Sequence, residues 1–307
     1  MSPLAFGASP EAAYPAKPIH FIVPFSPGGE SDVAARTIAN RLSTLPGYTV
    51  IVDNYAGAGG NLGAEKALRE PADGYTMLVI SGAYSANAVT LKPAFDPIAA
   101  IQPVIEFSLQ PSVLVSTPKW QSLGDLLAAA RKAPGSINFG TAGVGSMGHL
   151  STEDFAQQAH VKLNHIPYKG SSGAINDLAG GQIDMQMSGI TAAESLSRSG
   201  KVRLLAISGD ARNPAFPDVP TFAESGLPDF KAGLWHGLVA SKDVPPAIVA
   251  KLNADINTVL RDPELKKRFA TLNMTPVGGT PAQFEGAIRD DMKHWQQVVR
   301  DAGISAQ

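Results

Sequence analysis

An apolar segment near the N-terminus runs straight into a glycine turn and then into a helical segment. Residues 19–23 have the composition of a buried strand, and the turn at 27–29 contains a proline and two glycines. A helix is predicted to begin near Val33, with Ser31 or Asp32 as its cap. Free amides at such a helix start form a possible anion site. A plain strand-to-helix turn explains the pattern equally well.

The same order of strand, turn and helix recurs along the chain and predicts an α/β fold. Further strands are predicted at 49–52, 75–80, 137–140, 163–167, 183–187 and 202–207. Helices are predicted at 62–68, 122–131, 149–160 and 245–260, and another follows the loop 168–172 and runs through Leu178. Residues 81–87 are predicted to form a polar-aromatic loop. An extended stretch, 101–107 and 113–116, is interrupted at Gln110-Pro111 and could cross between two domains.

The C-terminal helices carry recognisable start and stop signals. Asp262-Pro263 and Thr280-Pro281 each place a capping side chain before a first-turn proline, and Gly303 is predicted to end the last helix. Apolar residues follow helical spacing in that helix, so they are predicted to be core and not a cofactor site.

Length and composition restrict the function classes. A chain of 307 residues suggests two domains of about 100–150 residues each. The net charge of -2, without a basic run, disfavours nucleic-acid binding. The absence of cysteine excludes disulfides and thiolate chemistry. No apolar run approaches the roughly 18–20 residues that span a bilayer, so the chain is not expected to be membrane-embedded.

Residues 1–13 are interpreted as the remains of an export signal. Small residues in 4–8 are spaced as in a cleavage site, although the charged and apolar regions of a complete signal are missing. A disordered tail is the alternative. The export interpretation predicts a periplasmic protein whose signal peptide has been removed or truncated.

Two more loops repeat the logic of the first. In residues 141–149, Ser146 is predicted to cap a helix whose amides face a ligand, and a serine-hydrolase elbow is disfavoured because Val144 replaces the required glycine. In residues 168–173, serine hydroxyls and amides are favoured over Lys169, which is expected to be solvated. The glycines at 57–63 suit close packing of a helix better than a dinucleotide site, because Leu62 breaks that fingerprint.

Catalytic and metal chemistry receive little support. The six histidines lack the spacing of a zinc site, and no matched general acid and base is evident. The acidic pairs Glu153-Asp154 and Asp290-Asp291 are expected to face solvent. We therefore expect neither an enzyme, nor a metal site, nor a cofactor.

From about Tyr14 to the C-terminus the chain resembles a known family, the Bug-type receptors of tripartite tricarboxylate transporters. The order and spacing of many short motifs carry the resemblance. The motifs are Pro24-Phe25-Ser26-Pro27-Gly28-Gly29 with Asp32 and Ala35-Arg36, Ala56-Gly57-Ala58-Gly59-Gly60-Asn61-Leu62-Gly63-Ala64, Asp73-Gly74-Tyr75-Thr76, Phe95-Asp96-Pro97, Gly140-Thr141 with Gly145-Ser146 and His149-Leu150, Pro167-Tyr168-Lys169-Gly170, Pro217-Asp218-Val219-Pro220-Thr221 with Glu224-Ser225-Gly226, and Trp235 with Gly237-Leu238.

The resemblance implies a type II-like periplasmic binding protein with two α/β lobes, each a mostly parallel sheet flanked by helices. The lobes would be 14–103 with 230–307, and 104–229. A small organic acid, a mono- or dicarboxylate, would bind in the cleft at the hinge, held by loop amides and hydroxyls from both lobes. The partners would be the permease subunits of the transporter, and the receptor would be a monomer.

The ligand-binding residues expected from these loops lie in both lobes. In the first lobe they are Phe25, Ser26, Pro27, Gly28, Gly29, Glu30, Ser31, Asp32, Ser81 and Tyr84. In the second lobe they are Thr141, Ala142, Gly145, Ser146, His149, Tyr168, Lys169, Gly170 and Ser188. A distal pocket is expected to involve Phe25, Tyr84, Phe107 and His236.

Two positions depart from the family pattern. Glu30 would repel a ligand carboxylate unless it points away, or it reads a ligand amine or hydroxyl. Ser188-Gly189 replaces an acidic or asparagine position common among relatives. Aliphatic dicarboxylates, aromatic acids and amino acids therefore all remain possible ligands. A receptor that signals to a partner, or an enzyme on the same scaffold, are the alternative functions.

Overall fold

The computed structural model describes residues 14–91 and 93–304. Its strands are β1 (Ile19–Val23), β2 (Val50–Asn54), β3 (Thr76–Ser81), β4 (Ile101–Ser116), β5 (Asn138–Thr141), β6 (Asn164–Pro167), β7 (Met185–Gly189), β8 (Arg203–Ile207), β9 (Gly233–Ser241) and β10 (Thr275–Pro276). Its α-helices are α1 (Glu30–Leu42), α2 (Asn61–Arg69), α3 (Gly82–Thr90), α4 (Leu123–Lys132), α5 (Met147–Gln158), α6 (Ser171–Ala179), α7 (Ile190–Arg198), α8 (Pro246–Leu260), α9 (Pro263–Thr271) and α10 (Pro281–Asp301).

Strand β4 joins two sheets. In the first sheet the strand order is β2-β1-β3-β9-β4, with β10 also paired to β4. In the second sheet β4 pairs with β7 and β8, and the order continues through β5 to β6. Strands β1, β2 and β3 are parallel, as are β5, β6 and β7, whereas β9 runs antiparallel to both of its neighbours. We call each sheet with its helices a lobe.

Helices cover both faces of the first sheet. Helices α1, α8 and α9 pack on one face, where the core includes Phe21, Phe107 and Phe269. Helices α2 and α10 pack on the other face around Ile80 and Phe284. Because the parallel strands are buried on both sides, they read as nearly continuous apolar runs in the sequence.

The second sheet is covered in the same way. Helices α4 and α5 pack on one face with Phe139 and Phe155, and α6 and α7 pack on the other with Val113. Phe230 and Ala232 belong to the second core, although the predicted boundary puts them in the first lobe. The predicted division at 103/104 and 229/230 stays a prediction, but β4 changes sheet only after residue 111.

Helices from the two lobes also meet away from the sheets. Ala86 of α3, Leu150 of α5 and Trp295 of α10 form one small apolar cluster. Beside it, His294 Nε2 lies 3.1 Å from a carboxylate oxygen of Asp154. Asp154 is buried, so the expectation that the Glu153-Asp154 pair faces solvent is wrong for this residue.

The predicted secondary structure differs from the structure in several places. Residues 81–87, predicted to form a loop, lie in β3 and α3, because Ala86 and neighbouring residues pack against other helices and override weak helix propensity. Strand β4 continues through Gln110-Pro111 without a break. Strand β9 and helix α7 were not predicted.

Most predicted helix caps are confirmed. Asp262 accepts hydrogen bonds from the first-turn amides of α9, and Thr280 forms a capping box with Gln283 at the start of α10. Ser146 caps α5 through the His149 amide. Gly303 has φ 64° directly after the C-cap of α10, as a C′ glycine should.

Two further expectations concern the export signal and membrane insertion. The predicted export signal, residues 1–13, lies outside the described residues. Within 14–91 and 93–304, no helix combines the length and the hydrophobicity needed to cross a bilayer.

The glycine-rich segment after β2 allows α2 to pack closely on the sheet. A Cβ at Gly63 would lie 2.7 Å from Pro24 Cα and 2.7 Å from the carbonyl oxygen of Tyr55. Both are backbone atoms that cannot rotate away. Close helix packing, the interpretation preferred over a dinucleotide site, therefore accounts for this glycine.

Gly63→Ala should lower the free energy of unfolding by about 1–3 kcal/mol, because the added methyl overpacks against backbone. Urea denaturation measures the change. Gly286→Ala is the matched control, since this helical glycine of α10 has open space around it. The control should raise stability by about 0.5–1 kcal/mol. Equal stability of the Gly63 variant and the wild type would contradict the packing argument.

Candidate ligand-binding site

Strand ends and helix starts from both lobes meet at the junction of the two sheets. Helices α1 and α3 follow the parallel strands β1 and β3, while α5, α6 and α7 follow the parallel strands β5, β6 and β7. Parallel strands end at the same edge of their sheet, where open α/β folds bind ligands. The junction is therefore bordered by helix N-termini, which present unpaired backbone amides.

Direct contacts close this junction. The Thr90 hydroxyl of α3 lies 3.3 Å from the Gly145 carbonyl oxygen, in addition to its shorter contact of 2.9 Å with the Ala86 carbonyl oxygen of its own helix. A Cβ at Gly82 would lie 2.9 Å from Met147 Cε at the start of α5. A Cβ at Gly189 would clash with Glu30 Oε1. Two predicted site residues, Glu30 and Gly145, thus lie where the lobes touch, as does Gly189, the neighbour of the predicted residue Ser188.

The first predicted loop forms the exposed turn before α1. Ser26, Pro27, Gly28 and Gly29 are exposed, and Gly28 has φ 80°. Helix α1 begins at Glu30 with Gly29 as its N-cap and without a side-chain cap. The prediction that Ser31 or Asp32 caps this helix is therefore wrong.

Asp32 instead supports the turn from inside. Its carboxylate accepts hydrogen bonds from the Gly28 amide at 2.9 Å, from Arg36 Nε at 3.0 Å and from Asn54 Nδ2 at 2.8 Å. Burial alone would raise its pKa, but these hydrogen bonds outweigh burial and lower the pKa. Asp32 is 2% exposed, so it positions the loop from behind. Ser31 is buried beside it.

The second predicted loop is stabilised by its own side chains. Thr141 is buried, and its hydroxyl lies 2.6 Å from His165 Nε2 and accepts from the Gly143 amide at 3.1 Å. His149 is buried, and its Nδ1 accepts from the Gly145 amide at 3.1 Å. Ala142 is exposed at the tip and Ser146 is half-buried at the start of α5. The two buried side chains therefore shape the loop.

His149 lies in an aromatic stack. Its ring centroid is 3.9 Å from that of His165, and the His165 centroid is 4.8 Å from that of Phe139. Burial, together with the neighbouring His165, lowers the pKa of His149 to about 4. Burial also lowers the pKa of His165. Both rings are therefore neutral near pH 7, which suits the acceptor role of His149 Nδ1.

The third predicted loop turns its aromatic ring away from the junction. Tyr168 donates from its hydroxyl to Asp177 of α6 at 2.8 Å, and burial followed by this hydrogen bond raises its pKa to about 12. Lys169 is exposed, and Gly170 is the N-cap of α6 with φ 154°. Ser188 is half-buried near the end of β7. A ligand at this loop would therefore meet backbone groups more than side chains.

A small cavity of about 10 Å³ lies on the first-lobe side of the junction. Three of the predicted site residues, Phe25, Ser81 and Tyr84, line it, together with Asn61 and Asn87, which were not among the predicted residues. The Tyr84 hydroxyl donates to the Pro97 carbonyl at 2.7 Å and is not free for a ligand. Both asparagines have a recognisable position in the sequence. Asn61 begins α2 directly after Gly60, and Asn87 lies in the last turn of α3, the helix that follows Ser81.

Two residues expected in a distal pocket belong to the core. Phe107 is 0% exposed, and His236 is 2% exposed with its Nδ1 3.2 Å from Ser108 Oγ. Burial lowers the pKa of His236 to about 4. The prediction that these two side chains line the pocket is wrong. Phe107 packs in the core on the α1 face of the first sheet, and the buried His236 ring stacks against it.

Other concave or acidic regions do not coincide with these loops. A larger cavity of about 650 Å³ lies on the second lobe between α4 and β8, and none of the predicted site residues line it. Residues 14–91 and 93–304 contain no cluster of three or more histidine or acidic side chains placed to bind a metal ion.

Comparison with known proteins identifies the family. The sequence profile described as "Tripartite tricarboxylate transporter family receptor" matches residues 34–304. The chain belongs to this receptor family. Its sequence is 40% identical over 304 residues to BugT of Bordetella pertussis (strain Tohama I), covering 96% of this chain and 93% of BugT.

Solved structures of similar proteins share the fold of this Bug-type receptor. The periplasmic binding protein BugD is 30% identical, with a TM-score of 0.80 over 96% of this chain and 100% of BugD. An R. palustris protein solved with adipate is 31% identical, with a TM-score of 0.83 over 95% of this chain and 99% of its own. The predicted two-lobed α/β fold is confirmed, and so is the prediction of a binding protein instead of an enzyme.

The unfolding free energy should fall between pH 6.5 and 4, partly because of His149. Its pKa drops from an ordinary 6.5 to about 4 on folding, so in this window the unfolded chain binds a proton that the folded chain does not. His149→Gln should make the fall shallower by about 1.4 kcal/mol per pH unit. Urea denaturation at half-unit pH steps measures the slope.

His160→Asn is the control for this measurement. It removes an exposed imidazole at φ 53°, a backbone conformation that asparagine tolerates, and should leave the slope unchanged. An unchanged slope in His149→Gln would show that the stacked imidazole is not neutral in the folded protein.

Proposed function

We propose that this receptor captures a small organic acid between its lobes and delivers it to the permease of a tripartite tricarboxylate transporter. The observation that carries the proposal is the set of helix N-termini from both lobes around one junction. The amides of Glu30 and Ser31 in α1, and of Ser171 in α6, make no hydrogen bond to another described residue. Such amides bind carboxylates without a formal positive charge.

The charges near these loops support the same choice. Lys169 is exposed beside α6, and Arg36 is engaged with Asp32 and Asn54. Recognition would therefore depend on amide geometry and on the hydroxyl groups of the helix starts. The adipate found with the R. palustris relative is a dicarboxylate and fits this chemistry.

The lobes would close on the ligand by bending at the shared strands. We place the lobe boundaries between residues 111 and 112 and between 232 and 233, because β4 pairs with β9 through Pro111 and with β7 from Ser112. A ligand that contacts both lobes would bind the closed conformation more tightly than the open one. This difference in affinity would shift the population toward the closed conformation.

The family supports a role in transport. For a role in transport, we expect the receptor to act as a monomer in the periplasm and to dock on the membrane subunits of the transporter. A sensor that passes the same closure to a signalling partner is the second candidate, and the geometry of the cleft serves both. Loss of uptake on gene deletion, restored by this chain, would favour transport; intact uptake with a lost transcriptional response would favour sensing.

Mass spectrometry of molecules released from the purified protein, followed by calorimetry against C4–C6 carboxylic acids, tests the proposal. At least one acid should bind, and the diamide of that acid should bind much more weakly, because helix N-terminal amides favour anions. If no acid in the panel binds and none is released, the organic-acid receptor proposal fails.

Ser146→Ala should weaken binding of the tightest acid in that panel by about fivefold, because it removes the N-cap of α5. Asp32→Ala should also weaken binding, because it removes the internal support of the first loop. Lys169→Ala should change the affinity less than twofold. Calorimetry on the three variants gives the order, and a dominant effect of Lys169 would mean that charge anchors the ligand.

A further inference from the structure

The Glu30 side chain lies in an unusual place for an acidic residue at a helix start. It belongs to the first turn of α1 in the first lobe, but its carboxylate reaches Gly189, where β7 ends and α7 begins in the second lobe. A Cβ at Gly189 would lie 3.2 Å from Leu234 Cδ1 as well. Glu30 therefore spans the lobe junction at the mouth of the proposed site.

The carboxylate of Glu30 has no partner there. It makes no hydrogen bond or ion pair with any residue in 14–91 and 93–304, and burial is the cause that raises its pKa. The helix dipole favours an acidic residue in the first turn of a helix but does not require its carboxylate to contact another lobe. The contact with Gly189 in the second lobe is therefore not explained by the dipole.

A second unpaired acceptor lies close by in the strand ladder. Gln110 of β4 is fully buried and pairs with Leu234 of β9. Its Nε2 donates to Thr191 Oγ1 of α7 at 2.9 Å, while its Oε1 has no partner among the residues the structure describes. Glu30 and Gln110 thus place two side-chain acceptors without a donor near the lobe junction, and leaving a buried acceptor unpaired is costly.

We propose that Glu30 makes this receptor selective for organic acids that also carry an ammonium group, with a hydroxyl as the weaker substitute. The proposal rests on the function proposed above and names its ligand class. The ligand carboxylate would bind to the helix N-termini, and its ammonium group would pair with Glu30 as the lobes close. A plain acid would leave the partly buried carboxylate of Glu30 without a donor.

Calorimetry with matched acids tests this selectivity. Succinate, malate and aspartate share one four-carbon diacid skeleton and differ only in hydrogen, hydroxyl or ammonium at C2; glutarate, 2-hydroxyglutarate and glutamate repeat the series with five carbons. In the wild type, the ammonium member of the better-fitting series should bind about 10- to 100-fold more tightly than the plain diacid. The hydroxy acid should lie between them.

Glu30→Gln should remove most of this difference. The variant keeps the size of the side chain and its acceptor oxygen but loses the charge, so the ammonium acid should weaken by at least about tenfold. The plain diacid should bind equally well or better. Thermal unfolding of the unliganded variant checks that it is folded, and Glu30→Ala gives the same ranking if the glutamine side chain finds a new contact.

Glu106→Gln is the matched control. Glu106 is another partly buried carboxyl, and burial followed by the charge of Asp291 raises its pKa to about 7. It faces α10 on the opposite side of the first sheet from α1. This variant should keep the wild-type order of affinities, which separates an effect at the site from a general effect of removing a buried acid.

Two results would overturn the proposal in different ways. Plain diacids that bind as tightly as their ammonium counterparts, with no change in Glu30→Gln, would refute the role of Glu30 and leave the organic-acid receptor intact. Absence of binding by every acid in both series and by the other acids tested would refute the receptor function and, with it, the role of Glu30.

Discussion

The paired strands β4 and β9 are the constraint on which the rest of the structure depends. Their antiparallel ladder runs from Ile101 and Ser241 to Pro111 and Gly233, and β4 then continues alone into the second sheet. Every hydrogen bond of this ladder resists independent movement of the two strands. The proposed hinge bending would therefore be confined to the short segment where the ladder ends, and the loops at the ends of the parallel strands are held around that segment.

The arrangement explains why backbone atoms, more than side chains, form the proposed site. Glycines stand where the lobes touch, at Gly82, Gly145 and Gly189, because a side chain at any of them would meet an atom of the opposite lobe. Behind these contacts, Asp32 and His149 accept hydrogen bonds from loop amides and fix their direction. The polar side chains of the site thus act mainly as supports, and the helix starts provide the donors.

The sequence predicted local features well and side-chain directions poorly. The capping of α9 and α10 was predictable because each depends on a few consecutive residues. The hydrogen-bond partners of the Tyr84 and Tyr168 hydroxyls were not predictable. They lie 13 and 9 residues further along the chain, at Pro97 after α3 and at Asp177 within α6. Helix α3 was missed for a related reason: its glycine, serine and asparagine residues favour loops, and only packing against α10 and α5 makes it helical.

The same distinction applies to Glu30. Its identity suggested repulsion of a carboxylate, but only the tertiary structure shows that its carboxyl group lies against the opposite lobe, at Gly189. That contact exists because the lobes are close together, so in the proposed mechanism the cost of burying the charge would arise on closure. A ligand with a donor would offset the cost in the closed state and not in the open one. Differential affinity for two states is what shifts a conformational equilibrium, so in the proposed mechanism Glu30 would act on closure as well as on binding.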